Sequence, residues 1–207
     1  KIMFNFWIFK IMAKILLSQM PIPYDFFRRI NLFRHGNMDN YDYAIEIFKK
    51  HYQNVKNINN IKTILELGPG DSIVTALICY YFNIKCILLD NSFSSTKNIR
   101  IYKKIINKIN FHKDKHDKLY KCKNINEILK VCDSIYLTNG LSDLKKIEDE
   151  SIDFIFSNAV LEHVYKEELS NYIFHLNRIL KVNFFMSHQI DLKDHLSNSL
   201  NHLRFSD

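Results

Sequence analysis

From Ile61 onward, apolar and polar positions fall into alternating blocks. Thr63–Leu67 is a short apolar run ending in a glycine turn, which predicts a buried strand; Ile73, Leu77, Ile78 and Tyr81 then recur at helical spacing. A second apolar run, residues 84–89, predicts strand two. It leads into a lysine-rich helix reaching about Ile109, with Ser94 or Ser95 as cap. Residues 111–123 are polar and carry no clear period. Residues 125–131 read as a helix, 134–138 as a short strand, 139–144 as the turn after it and 152–156 as strand four. Leu169, Tyr172, Ile173, Leu176, Ile179 and Leu180 form a helical stripe read as core, and residues 183–190 read as strand five. Such alternation predicts an α/β fold: a doubly wound, mostly parallel sheet with helices on both faces.

The first sixty residues precede this pattern and are expected to form an N-terminal helical cap, with residues 61–207 as the sheet domain. Residues 1–20 are apolar and aromatic, but Lys10 and Lys14 interrupt them, which argues against a membrane span. They read as a helix covering the core, with an interfacial helix in peripheral contact with a membrane as the alternative. Pro21 and Pro23 punctuate, Gly36 marks a loop, and Asn40 is placed to cap a helix whose apolar face is Ala44, Ile45, Phe48 and Tyr52.

Gly68 and Gly70 stand in the turn after strand one, where backbone angles closed to other residues and close approach of a ligand to the main chain both favour glycine. The following helix offers free N–H groups. Asp90 ends the next strand within about twenty residues of the turn, the place where a nucleotide-type site holds ribose hydroxyls.

With Glu66–Leu67–Gly68–Pro69–Gly70–Asp71–Ser72, Asp90, and the strand-turn motif running from Ser151 through Ser157–Asn158–Ala159–Val160–Leu161–Glu162–His163–Val164, the sequence resembles the class I S-adenosylmethionine-dependent methyltransferases over roughly residues 61–191. The resemblance implies a Rossmann-like fold, S-adenosylmethionine as cofactor, and Glu66, Gly68, Gly70, Asp90, Leu141 and Asn158 as cofactor-binding residues. Ser72 replaces the third glycine of the family motif. The family's adenine-binding acid falls on Gly140 here, leaving Asn139 or Asp143 as substitutes beside the apolar Leu141. A proline–glycine turn usually precedes strand five; this chain has Leu180–Lys181–Val182–Asn183–Phe184. Two further strands usually follow it, so the C-terminal strands are expected to be missing, in a fragment or a shortened sheet. Leading helices in this family often close over the substrate, which makes Arg34 and His35 candidates for substrate or cofactor-carboxylate contact.

Transfer to a hydroxyl also needs a base, and histidine titrates in the useful range. The candidates are His163 after strand four and His188 and His195, which lie among Asp191 and Asp194. The strand-four turn lacks the prolines and aromatic of amino-directed nucleic-acid enzymes, so the expected acceptor is a small molecule or glycan-type hydroxyl. An NAD(P)-dependent oxidoreductase and a non-catalytic cofactor-fold binding module are the alternatives; Ser72 does not complete the dinucleotide GxGxxG.

Composition changes this picture little. The chain has 207 residues, 47% of them hydrophobic, enough for one full core. Cys79, Cys86, Cys122 and Cys132 show no CxxC spacing and suit reduced thiols in a cytoplasmic protein. The net charge of +7 accompanies a general abundance of lysine, isoleucine and asparagine, so a nucleic-acid partner is not expected. Residues 97–123 hold the question open, with ten Lys or Arg against Asp114 and Asp117. His112 and His116 lack further ligands at metal spacing, and no metal is expected.

Overall fold

The five short apolar runs read from residue 63 onward become the strands of one sheet. In the computed structural model these are β1 (Thr63–Leu67), β2 (Lys85–Leu89), β3 (Ser134–Leu137), β4 (Ile152–Asn158) and β5 (Leu180–Gln189). They lie in the order β3-β2-β1-β4-β5, with every pair parallel. The structure describes residues 38–55 and 60–193, together with Leu16. The chain divides into two compact units, residues 35–190 and residues 1–34 with 191–207; the sheet and everything below belong to the first. Expectations placed on the rest of residues 1–20, on Arg34, His35 and Gly36, and on Asp194 and His195 lie outside the described residues.

Seven helices are described in this unit: α1 (Tyr41–Tyr52), α2 (Val74–Tyr81), α3 (Ile99–Lys108), α4 (Lys113–Tyr120), α5 (Ile125–Val131), α6 (Gly140–Leu144) and α7 (Lys166–Ile179). A parallel sheet must be covered on both faces, which is why its strands read as continuous apolar runs. Ile64, Cys86, Leu88, Phe154 and Phe156 face a core completed by α1 to α5, through Phe48, Leu77, Ile106, Leu119 and Ile128. Leu65, Leu67, Ile87, Leu89 and Ile155 face a second core with Leu144 of α6 and Tyr172, Leu176 and Ile179 of α7. The doubly wound α/β architecture is therefore as expected. Among the described residues, no helix is long and apolar enough to cross a membrane.

Local chemistry explains where the elements depart from expectation. Asn40 caps α1 as predicted, accepting from the Asp42 N–H. The cap of α3, however, is Asn98, which accepts from the Arg100 N–H; Ser95 instead donates to the Gly70 carbonyl, 3.3 Å away. Residues 113–120 form α4 despite their lack of period, because Leu119 is the helix's one buried residue and a single anchor writes no repeat. Residues 140–144, read as a turn, are the short helix α6. On α7 the buried stripe is narrower than the apolar one: Leu169 and Ile173 are 36% and 42% exposed.

At the start of β5, Ile152 pairs with Leu180 and Phe154 with Phe185. Five residues of β5 thus span two of β4, and the extra chain bulges around Asn183 at φ +66°. This bulge falls in the Leu180–Phe184 stretch that stands in place of the resembled family's proline–glycine turn, and asparagine is one of the few residues besides glycine that tolerates left-handed backbone. The strand consequently begins at Leu180, three residues before its predicted start.

Candidate active site

The glycine turn leaves β1 at its carboxyl end. Gly68 and Gly70 have φ of +71° and +64°. A Cβ at Gly68 would meet Val160 Cγ2 at 2.4 Å, so the turn packs against the loop after β4 as closely as a glycine permits. The Gly68 N–H donates to the Leu89 carbonyl, which brings the turn beside Asp90 at the end of β2. Ser72, in place of a third glycine, donates to the Met38 carbonyl and so fastens the turn to the segment before α1. Thr96 N–H closes the other side on the Asp71 carbonyl, 2.7 Å away.

Glu66 sits beneath this turn, 2% exposed, and its Oε2 is buried without a hydrogen-bond partner. Burial pushes its pKa up to about 8; the nearby Thr75 hydroxyl opposes that shift and the Asp90 charge adds to it. A buried carboxyl with an unmet oxygen is costly unless a ligand or water answers it. Asp90 is half-buried; its carbonyl accepts the Gly140 N–H and its Oδ1 the Asn91 N–H. Buried carboxyl, left-handed glycines and edge carboxylate fit a cofactor that brings polar donors and ribose hydroxyls to this edge.

The expected adenine contacts are arranged differently. Asp143 Oδ2 accepts from both the backbone N–H and the side-chain amide of Asn139, while Oδ1 pairs with Lys146. These bonds, the Lys146 contact first, hold the Asp143 pKa down to about 2. Both proposed substitutes for the missing acid are therefore occupied with each other at the start of α6, and Leu141 packs against the second core. Gly140, at φ +46°, has no room for a side chain: its Cβ would lie 1.9 Å from Asn91 Oδ1 and 2.7 Å from the Tyr172 hydroxyl. Asn91, which accepts from that hydroxyl, fills the place where the family's acid was sought. Only its position after Asp90 marked it in the sequence.

Asn158 and His188 lie at the carboxyl ends of β4 and β5. His188 pairs in register with Ser157, and its Nδ1 is 2.7 Å from the Ser157 hydroxyl. Its Nε2 is buried and unpartnered, and burial, then the neighbouring His51, lowers its pKa. Asn158 Oδ1 is likewise buried without a partner. His51, absent from the sequence-based candidates, projects from α1 onto Phe156 with ring centroids 5.2 Å apart, and its Nδ1 lies 2.8 Å from the Ser187 hydroxyl. His163 ends a 3-10 turn (Leu161–His163) and is exposed.

The fold thus brings Glu66, Gly68, Gly70, Asp90, Asn158 and His188 to one edge of the sheet, with Leu141 turned into its core. Among the described residues no cluster of potential metal ligands is present; His116 bonds to Asn107 and stacks on Tyr120. One hollow of about 610 Å³ runs beside β3 between Phe93 and Lys130, and another of about 470 Å³ lies at the β5 bulge. Neither is lined by Glu66, Gly68, Gly70, Asp90, Asn158 or His188.

An open, doubly wound parallel sheet with a glycine turn and an acidic residue at the ends of adjacent strands defines a nucleotide-type α/β protein. The methyltransferase domain family matches residues 65–184, and the chain belongs to that family, as its motifs suggested. No curated protein matches it. Among solved structures, an S-adenosylmethionine-dependent methyltransferase from Archaeoglobus fulgidus is similar at 12% identity and TM-score 0.43, covering 71% of this chain and 51% of that one. One from Methanosarcina mazei is similar at 19% identity and TM-score 0.43, covering 65% and 55%. The chain spans just over half the length of each.

Proposed function

We propose that this protein is an S-adenosylmethionine-dependent methyltransferase that acts on a small-molecule or glycan-type hydroxyl. The observation that carries the reading is Glu66: a buried carboxyl with an unmet oxygen, directly under two left-handed glycines and beside the edge carboxylate of Asp90. Gly68 and Gly70 admit the ligand to the backbone, Asp90 accepts from its ribose hydroxyls, and Glu66 accepts from a polar hydrogen above it. The cofactor, when bound, supplies an electrophilic methyl group. The protein must then hold the acceptor in line and take its proton. His188 is suited to taking the proton. With Nδ1–H donating to Ser157 Oγ, the lone pair is on Nε2, and a lowered pKa keeps the ring neutral near pH 7.

Calorimetry with S-adenosylhomocysteine and with NAD tests the reading. S-adenosylhomocysteine is expected to bind and NAD not to. Asp90→Ala should weaken the former about ten- to hundredfold, the value of a charged hydrogen-bond pair of roughly 1.5 to 3 kcal/mol. Binding of NAD in its place overturns the methyltransferase reading in favour of a nicotinamide-binding protein, and unchanged affinity in Asp90→Ala removes that residue from the site.

A further inference from the structure

Unmet polar atoms gather at the carboxyl edge, and His51 is the one whose surroundings fix what it does. Phe156 and Ser187 pair in register, and the His51 ring packs on the first while bonding to the second. Two residues along β4, on the same face, comes Asn158. Asn54 Nδ2 donates to Ser187 Oγ at 3.0 Å. A serine hydroxyl has one proton to give, and His51 Nδ1, 2.8 Å away, is placed to receive it. With Nδ1 accepting, the ring proton belongs on Nε2, and the Asn158 side chain and the Ser187 backbone carbonyl are the groups near the ring that can receive it. His51 Nε2 and Asn158 Oδ1 are both buried, and neither meets hydrogen-bond geometry with any group among the described residues. A buried donor beside a buried acceptor is answered by a small turn of the amide.

We propose that His51 is a positioning residue for Asn158, the last link of a row Asn54–Ser187–His51–Asn158 that holds the amide oxygen inward and turns its NH2 group to an oxygen of the bound ligand. The Asn158 NH2 makes no hydrogen bond among the described residues. Packing alone does not call for histidine here, since phenylalanine would lie against Phe156 equally well. Burial, then the Lys50 charge, lowers the His51 pKa and keeps the ring in the neutral form the row requires. The ligand side of the inference rests on the cofactor reading above; the row itself does not.

Two measurements separate these. In long-range proton–nitrogen NMR of histidine-labelled protein without ligand, His51 is expected in the Nε2–H tautomer, and an Nδ1–H tautomer overturns the row. Calorimetry with S-adenosylhomocysteine then follows Asn158→Ala, His51→Phe and their combination. Asn158→Ala should weaken binding about tenfold, His51→Phe by a similar factor, and the pair together no more than Asn158→Ala alone. His51→Gln, whose amide reaches the Nε2 position, should recover most of the loss. Wild-type affinity in His51→Phe, or losses that multiply to about a hundredfold, overturns the positioning role. Absence of S-adenosylhomocysteine binding in the unaltered protein refutes the cofactor reading and, with it, the ligand contact assigned to Asn158, while the tautomer still decides the row.

Discussion

Glu66 keeps its proton in the folded chain up to about pH 8, whereas an unfolded chain releases it near 4.5. The folded state therefore binds more protons through that window, and the Glu66 contribution is full below about pH 4.5 and is lost as pH rises toward 8. At about 1.4 kcal/mol per pH unit the loss amounts to a few kcal/mol. His51 and His188, with lowered pKa values, act in the opposite sense and only below their ordinary 6.5. Urea unfolding of the wild type and Glu66→Gln across pH 5 to 8 isolates the carboxyl: the variant should gain stability relative to wild type as pH rises, and parallel profiles would refute the shift. The turn at Gly68 and Gly70 was legible because left-handed backbone favours glycine, and Glu66 and Asp90 stood out as acidic residues at the ends of apolar runs beside it. His51 was not, because the apolar face of α1 was drawn through Ile45 and Tyr52, while the buried one is Ala44, Ile47, Phe48 and His51. A histidine buried for its hydrogen bonds breaks the pattern that reveals a face. Asn91 escaped for a different reason, since its placement depends on Gly140 leaving space from about fifty residues away.

At the scale of elements, Asp153 joins strands that the sequence places far apart. It is buried on β4, and its Oδ2 accepts the Lys62 and Thr63 N–H groups at 2.8 and 2.7 Å, while Oδ1 holds Lys181 at 2.7 Å. One carboxylate thus fixes the start of β1 and the start of β5 on either side of β4. Asp153→Ala would leave two backbone donors and a half-buried ammonium without their acceptor, so it should cost about 3 to 5 kcal/mol, read as a lowered urea midpoint. A loss under about 1 kcal/mol would mean that water replaces the carboxylate there. None of this is visible in an apolar-run pattern, in which Asp153 is merely a polar interruption. The strands themselves were readable because burial on both faces leaves little freedom of composition, whereas α4, anchored by Leu119 alone, and the β5 bulge, set by Asn183, carry too few constrained positions to announce themselves.

For the whole molecule, the charge of +7 is concentrated where α3 and α4 lie, and the structure shows how part of it is used. Lys97 lies over Phe93, Lys103 over Tyr120, Lys108 over Tyr41 with an ion pair to Asp42, and Lys115 binds the Tyr80 carbonyl and Asn83. Of the ten cations from 97 to 123, those four have side-chain partners among the described residues, and Arg100, Lys104, Lys113, Lys118, Lys121 and Lys123 stand on exposed positions of helices and connecting turns. Six separate charges spread over helices and turns attract phosphate but do not by themselves read a sequence. Binding to a mixed-sequence RNA duplex should accordingly be weak, with Kd of about 1 µM or above at physiological salt and a log–log salt slope no steeper than about six released counterions would give. Fluorescence anisotropy across 50 to 200 mM salt, roughly the range in which such contacts are lost, measures both quantities. Nanomolar affinity for one RNA that survives added salt would overturn the expectation of a small-molecule acceptor and make this basic face a recognition surface.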